Sequence, residues 1–373
     1  MTLAIDGRSL QGAQGGIDVY IRQLLTHLCR IDTANRYIIF FNGSHALRSD
    51  YVHPSWNVKI IHTRIPSKLL NVSYIFFGRP FLDILIERAA GEKIDAFFMP
   101  NMNFAAFSPN ARIALVVHDF SFVYFQKTQS LKSRIWHRAV RPESLLARAN
   151  AVIAVSKNSK KDACALYHLS HDSVSVVPLG IEDEFRSSEA TRIDQLPCII
   201  AFCPQEGRKN ITALVEAFVD ACSRYEEMRG MTLVLAGATR MPRDLANFIS
   251  ALPHGVHIKI IPYLPLARRS KLIQSSRLCV YPSVYEGFGM PPLEACALGI
   301  PVIAGAHSSI PEVSGNAVWY CDPYNVRELS ESLIRVTTDE MLRRSLIHRG
   351  RELIKKYSWE RTAGQTLHIL NSL

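Results

Sequence analysis

Short apolar runs recur along the chain, and each stops at a polar or glycine-bearing loop. Thr2–Ile5 ends at Asp6, the loop 12–16 follows, and Ile17, Tyr20, Ile21, Leu24, Leu25 and Leu28 then recur at helical spacing. Strand, glycine loop and amphipathic helix form the opening unit of a Rossmann-like domain. Further strands are predicted at Tyr37–Phe41, Val58–His62, Ala96–Met99, Ile113–Val117, Ala151–Val155 and Val174–Pro178. The pattern restarts at Cys198–Phe202 and continues through Met231–Ala236, Ile258–Ile261, Leu278–Val280 and a strand ending at Cys321. Runs this uniformly apolar belong to parallel strands buried on both faces, so the pattern predicts an α/β fold.

A length of 373 residues points to two domains, and 48% apolar residues suffice for two cores, which excludes a disordered chain. The eight cysteines stand singly, without a Cys-x-x-Cys pair or a metal-ligand cluster, as expected in a reducing cytoplasm. The opening residues read as a strand and not a signal peptide, and no charge-free stretch of about twenty apolar residues occurs. The expectation is a soluble cytoplasmic protein or one peripheral at the inner face of a membrane.

Charge divides the chain unevenly. The net value is +10, with 21 Lys and Arg against 12 Asp and Glu up to Gly180, and 22 against 21 thereafter. A basic half suggests an anionic partner, such as a lipid headgroup, a diphosphate acceptor or nucleic acid, with ordinary solubility charge as the alternative. Residues 64–90 mix Tyr74, Phe76, Phe77 and Phe81 with Lys68, Arg79 and Arg88. This segment is read as a core helix with a basic rim; a segment resting on an anionic membrane surface is the alternative. Residues 120–148 are likewise aromatic and basic, and no recognisable nucleic-acid motif accompanies them.

The most informative stretch is Tyr281–Ala304, a strand end, a glycine-bearing turn, a short helix and a new strand. Gly287 and Gly289 permit a close ligand approach; Pro291 and Pro292 suit a first helical turn and Gly299 a helix stop. Such a helix start attracts anions. Two carboxylates bracket it, Glu286 before the turn and Glu294, placed in the first helical turn. Carboxylates cannot neutralise a phosphate, so their partners are hydroxyls, and the combination suggests a sugar–phosphate ligand. Arg208 and Lys209 at a strand-to-helix junction suit a diphosphate, because adjacent cations offset the charge growing on a leaving group. His118 and Asp119 at the carboxyl end of Ile113–Val117, and Asn101 after Ala96–Met99, occupy the sheet edge where α/β ligands sit.

Those residues carry a family resemblance. Tyr-Glu-Gly-Phe-Gly, Pro-Pro-Leu-Glu-Ala and Gly-x-Pro-Val-Ile-Ala in Tyr281–Ala304 resemble the Glu-x7-Glu signature of the retaining glycosyltransferases of family 4. Val-Val-His-Asp, Arg-Lys-Asn, Leu-Val-Leu-Ala-Gly and the final Tyr357-Ser-Trp-Glu-Arg segment resemble the same family. The resemblance covers nearly the whole chain, densest from Ala151 onward. It departs before Arg208, where Cys203 stands in place of glycine and Gly207 in place of proline. It implies a GT-B fold: two Rossmann-like domains with an inter-domain cleft. Residues 1–180 would be the acceptor-binding domain and 181–357 the nucleotide-sugar domain, with a hinge near Gly180–Arg192. A final helix over 358–373 would pack back on the first domain.

By the same resemblance, Glu286 meets the transferred sugar, the Gly287–Phe288–Gly289–Met290 backbone meets sugar and diphosphate, and Glu294 holds the ribose. Gly15 and Gly16 approach the donor phosphate, Tyr263 the nucleotide base, and His118 the donor sugar. Asp119 and Asn101 fall on the acceptor side. With His118, Glu286, Arg208 and Lys209 as catalytic residues, the implied activity is retaining hexosyl transfer. No Asp-x-Asp pair occurs, so neither metal nor other cofactor is expected. The Gly-Ile-x-x-Tyr and Arg-Lys-Asn regions resemble mannosyltransferases, which places GDP-mannose first among donors and UDP-hexoses next. The implied acceptor is a saccharide or lipid-linked saccharide of a cell-surface polysaccharide, and no nucleic-acid partner is expected. A sugar-nucleotide epimerase or phosphorylase on a similar frame, and a non-catalytic sugar-nucleotide binding subunit, remain alternatives.

Overall fold

The apolar runs lie in two parallel sheets in a computed structural model that describes residues 1–10, 15–43, 56–186, 196–202, 206–237 and 243–373. Residues 12–14 of the first glycine loop, Cys203, and residues 187–192 of the expected hinge lie outside the described residues. The chain divides into two units. One comprises residues 1–122, 130–180 and 358–373; the other comprises 123–129 and 181–357.

In the first unit seven strands, β1 (Thr2–Asp6), β2 (Arg36–Asn42), β3 (Val58–Thr63), β4 (Ala96–Met99), β5 (Ile113–Val117), β6 (Ala151–Ala154) and β7 (Val174–Val176), lie in the order β3-β2-β1-β4-β5-β6-β7. All pairings are parallel, with Ile5 opposite Ile39 on one side and Phe98 on the other. Every residue of β4 and β5 is buried, as sheets covered on both faces demand. Strand order reverses between β1 and β4, which places the ligand-binding switch point there.

The closing helix of this unit is Trp359–Asn371, capped by Ser358, whose side chain accepts from the Arg361 amide. It packs on helix Gly16–Ile31, with the buried Trp359 indole 6.0 Å from the Tyr20 ring. Thr362 Oγ1 donates to the Pro178 carbonyl at 2.8 Å, and Asn35 Nδ2 to Asn371 Oδ1 at 2.9 Å, fixing both ends. Gly180 sits directly against the start of this helix. A Cβ added there would lie 2.2 Å from the Trp359 amide nitrogen and 2.6 Å from the Ser358 carbonyl carbon.

The 64–90 segment corrects its sequence reading in part. It forms two helices, Ser67–Phe77 and Leu82–Ala90. The second is a core helix, burying Leu82, Ile86 and Ala90. The first buries only Leu70 and Tyr74 and turns Leu69, Val72, Phe76 and Phe77 outward. Apolar residues on every side of this helix leave the pattern unable to say which face is inside.

In the second unit six strands, β8 (Leu196–Phe202), β9 (Thr232–Ala236), β10 (His257–Ile261), β11 (Ser276–Tyr281), β12 (Val302–Gly305) and β13 (Trp319–Cys321), lie in the order β10-β9-β8-β11-β12-β13. This is the doubly wound order, with its switch point between β8 and β11. Its core joins Ile199, Leu233 and Val280 of the sheet to Leu214 and Phe218 of helix Ile211–Arg224 and Leu333 of helix Val326–Thr338. Residues 123–129 group with this unit: Tyr124 and Phe125 place their rings 5.3 and 5.9 Å from that of Tyr285. That grouping has no signature in the local pattern, because it depends on contacts distant along the chain.

Among the described residues no helix is long and apolar enough to cross a membrane. Among them too, all cysteines are free thiols, and no group of three His, Cys, Asp or Glu side chains converges as metal ligands.

Candidate active site

Each unit carries its own cluster of candidate residues at its switch point. In the second unit, β8 leads to the short turn Gly207–Lys209, and β11 leads to the buried turn 282–289. Adjacent strands therefore bring Arg208 and Lys209 to Glu286. Lys209 Nζ donates to Glu286 Oε1 at 2.7 Å and to the Tyr281 hydroxyl at 2.8 Å. Arg208 Nη1 donates to Glu286 Oε2 at 2.7 Å and to the Tyr285 carbonyl at 2.9 Å, while its Nε bonds Glu206. Glu286 is 5% exposed and Lys209 7%, so this ion pair is screened little by water.

Burial alone would raise the Glu286 pKa, but Lys209 and Arg208 outweigh it and hold the carboxyl down at about 2. Burial also loosens the proton of Lys209, and the Glu286 carboxylate opposes that. A depressed carboxyl pKa contributes stability that is complete above the ordinary value and is lost as the pH falls through the folded one. The stability of the second unit should therefore drop on acidification from pH 4.5 towards about 2. Acid unfolding followed by circular dichroism should show this fall, and Glu286→Gln should flatten it. A variant with the wild-type acid limb would exclude Glu286 as its source.

The turn that presents Glu286 is held from behind. Ser308 Oγ and Ser309 Oγ both donate to the Glu286 carbonyl, at 2.5 and 3.0 Å, and Ser309 Oγ also reaches the Phe288 carbonyl at 3.0 Å. Gly287 is buried in the turn, and Phe288 packs edge-on against Tyr357, with centroids 5.8 Å apart. Gly289 caps helix Met290–Ala297 with a φ of 97°, and a Cβ there would lie 2.4 Å from Ile310 Cδ1. The positive φ strains any residue but glycine, and a side chain would also require Ile310 to turn aside. Met290 opens the helix, and Pro291 and Pro292 occupy its first turn.

Glu294 is the fifth residue of this helix, one position beyond the first turn in which the sequence reading placed it. Its side chain is buried and forms an ion pair with Arg269 of helix Leu266–Ser275. Burial raises the Glu294 pKa, with Arg269 opposing. The guanidinium of Arg269 lies 4.4 Å from the centre of the Phe202 ring, at the end of β8. The two glutamates thus differ: Glu286 is held as a carboxylate by two cations, and Glu294 takes a proton more readily. Tyr263 is 47% exposed in the loop after β10. Among the described residues no hydrogen bond or ring contact joins it to this cluster.

In the first unit, His118 follows β5 and its Nε2 donates to the Pro100 carbonyl, 2.8 Å away, just past the end of β4. A carbonyl only accepts, so Nε2 carries the proton and Nδ1 is the ring's acceptor. Burial lowers the His118 pKa, against the Pro100 hydrogen bond and the Asp119 charge, which favours the neutral ring. The Tyr20 ring meets it edge-on at 4.7 Å. Asp119 turns back on the chain: its Oδ1 accepts from the Ser121 amide at 2.8 Å and the Ser121 hydroxyl at 2.6 Å. Asn101 lies at the carboxyl end of β4, one residue past Pro100. Gly15 and Gly16 start helix Gly16–Ile31, and a Cβ at either would touch nothing within 4 Å. Among the described residues no atom there requires glycine.

The structure thus brings Arg208, Lys209 and Glu286 into one cluster with Gly287–Met290, and sets Glu294 further along the same helix. Tyr281, Ser308, Ser309 and Arg269 belong to the site, although sequence reasoning did not place them in it. The one available signal was position: Tyr281 ends the strand before the turn, and Ser308–Ser309 follow β12 next to it in the sheet.

Comparison with known proteins covers both units. The profile of the Glycosyltransferase Family 4 family matches residues 14–185, and that of Glycosyl transferases group 1 matches residues 187–353. The O-antigen chain mannosyltransferase B of Escherichia coli is 26% identical over 278 residues, 70% of this chain and 71% of that protein. The serotype-specific mannosyltransferase WbdA, also of Escherichia coli, is 28% identical over 230 residues, 58% of this chain but only 28% of that protein. Among solved structures, Anabaena Alr3699/HepE in complex with UDP and glucose aligns over 100% of both chains, with a TM-score of 0.75 and 16% identity.

Proposed function

Because the chain belongs to the family 4 glycosyltransferases, with two Rossmann-like domains of the GT-B kind, we propose that it moves a mannosyl residue from GDP-mannose to a hydroxyl of a saccharide or lipid-linked saccharide. A UDP-hexose is the second donor in rank. The acceptor is a growing cell-surface polysaccharide, a reading supported by the names of the Escherichia coli relatives. The observation that carries the proposal is the clamp of Lys209 and Arg208 on Glu286, at the switch point and beside a helix start.

Fixed cations and helix-start amides stabilise charge without reorganising when it develops. In the proposed reaction the acceptor oxygen bonds the sugar's anomeric carbon on the face from which the nucleoside diphosphate departs, so configuration is retained. The leaving group takes the bonding electron pair, and the acceptor proton passes to one of its phosphate oxygens. Arg208 and Lys209 face the charge growing on that diphosphate. Glu286, oriented by both cations, accepts from hydroxyls of the transferred sugar and acts by positioning, not as a nucleophile. For the first unit, the proposal assigns neutral His118 to the donor sugar and Asp119 and Asn101 to the acceptor side. No step requires a metal.

Glu294 is assigned to the ribose hydroxyls, which would take the place of Arg269 on its carboxylate. Calorimetric titration with GDP, UDP and ADP tests this. One nucleotide, GDP first, should bind tightest, and Glu294→Ala should weaken it about 10- to 100-fold, the worth of a hydrogen bond to a charged group. Equal, weak binding of all three, unchanged in the variant, would remove the donor assignment. A non-catalytic binding subunit would bind the nucleotide but release none from the sugar nucleotide when acceptor is added.

A further inference from the structure

Two helices of the first unit present the wrong face to water. Helix Ser67–Phe77 exposes Leu69, Val72 and Phe76 at spacings of three and four, with Phe77 beside them; Phe76 and Phe77 are 74% and 75% exposed. Helix Leu131–Val140 buries only Val140 and exposes Leu131, at 69%, and Ile135 one turn on. The two are neighbours at their C-terminal ends: the Arg141 guanidinium that follows the second helix donates to the Ile75 carbonyl of the first at 3.3 Å. Bulky exposed side chains grouped in this way mark an interaction surface, since isolated ones are the norm.

The charge around this apolar group has one sign. Residues 64–82 and 130–142 contain seven Lys and Arg and no Asp or Glu, and all seven are exposed. The next acids along the chain are Asp83, buried against Ser108, and Glu143. A second copy of the chain would bring seven cations against seven. Nucleic acid would suit the cations, but its polar, charged surface would leave the Phe76–Phe77 and Leu131–Ile135 pairs without an apolar partner. An anionic bilayer suits both: apolar side chains enter the boundary between headgroups and acyl chains, and the flanking cations meet the headgroups.

We infer that the paired outer faces of helices Ser67–Phe77 and Leu131–Val140 are a docking surface for an anionic phospholipid bilayer. The inference stands apart from the transferase proposal, because vesicle binding is measured without donor or acceptor. Wild-type protein should co-sediment with vesicles of phosphatidylcholine mixed with phosphatidylglycerol, less with pure phosphatidylcholine, and less again at high salt. With each cation near an anionic surface worth about 1 kcal/mol, Arg134→Glu with Arg138→Glu should cut partitioning more than tenfold. Phe76→Ser with Phe77→Ser should cut it by about tenfold or more, through lost apolar insertion. All four positions are exposed, so neither pair of substitutions disturbs a core. Absence of binding to the mixed vesicles, equal binding to pure phosphatidylcholine, or binding indifferent to both pairs of substitutions would overturn the inference. So would a wild-type dimer that Phe76→Ser with Phe77→Ser dissociates, or tighter binding to DNA than to the mixed vesicles.

Discussion

Lys209→Ala should transfer sugar about 100- to 1,000-fold more slowly than wild type, the loss typical of removing one preorganised charge-stabilising donor. Its buried ammonium holds two groups at once, Glu286 Oε1 at 2.7 Å and the Tyr281 hydroxyl at 2.8 Å. Alanine would leave Arg208 as the cation paired with Glu286, and both Oε1 and the Tyr281 oxygen would lose a donor. Breaking a buried ion pair from one side costs about 3–5 kcal/mol, and the remaining Arg208 contact argues for the lower end. Thermal unfolding should therefore show the second unit destabilised, and activity must be read well below its midpoint. Lys209→Arg keeps the charge but not the reach, so it should recover stability more fully than rate. Turnover of Lys209→Ala within a few-fold of wild type, at a temperature where it is folded, would remove Lys209 from the catalytic group.

Gly180→Ala should lower the thermal midpoint of the first unit by roughly 6–12 °C, on the basis of about 3 kcal/mol for overpacking and the usual 2–4 °C per kcal/mol for a unit of this size. The new methyl would have to occupy space 2.2 Å from the Trp359 amide nitrogen, and the obstacle is backbone, which cannot rotate aside. Relief requires helix Trp359–Asn371 to lift, which uncovers Trp359 and strains the Thr362–Pro178 hydrogen bond. Gly364→Ala in the same helix provides the control. A Cβ there meets nothing within 4 Å, and alanine is the better helix former, so its midpoint should hold or rise. Differential scanning calorimetry of both variants decides the matter; equal midpoints would mean that the helix start is not tightly seated on Gly180.

Much of the fold was legible because parallel strands buried on both faces leave unbroken apolar runs. Tyr37–Phe41 and Ile113–Val117, read from the sequence, fall within Arg36–Asn42 and coincide with Ile113–Val117 in the structure. Strand order is a different matter, since nothing in a run of valines says which neighbour it pairs with; the structure supplies it. At the site, the residue types were legible and their partnerships were not. Arg208 and Lys209 were read as cations facing a diphosphate, and the structure shows both gripping Glu286. Tyr281 and Ser309 offered only their position as a signal, because their roles arise across adjacent strands. Helix Ser67–Phe77 misled for the opposite reason, being apolar nearly all round, so periodicity could not choose its inner face.

The closing helix of the first unit has a consequence for how the molecule is made. Strands β1–β7 leave the ribosome before the 181–357 stretch, yet the helix that covers Tyr20 and seats on Gly180 leaves after it. The entire 181–357 stretch emerges in between and can fold as an insertion. A nascent chain therefore carries a half-finished first unit, with one apolar helix face open, while the whole 181–357 stretch is made. The long wait for a contact so distant along the chain makes this unit, despite its early synthesis, the later of the two to be completed.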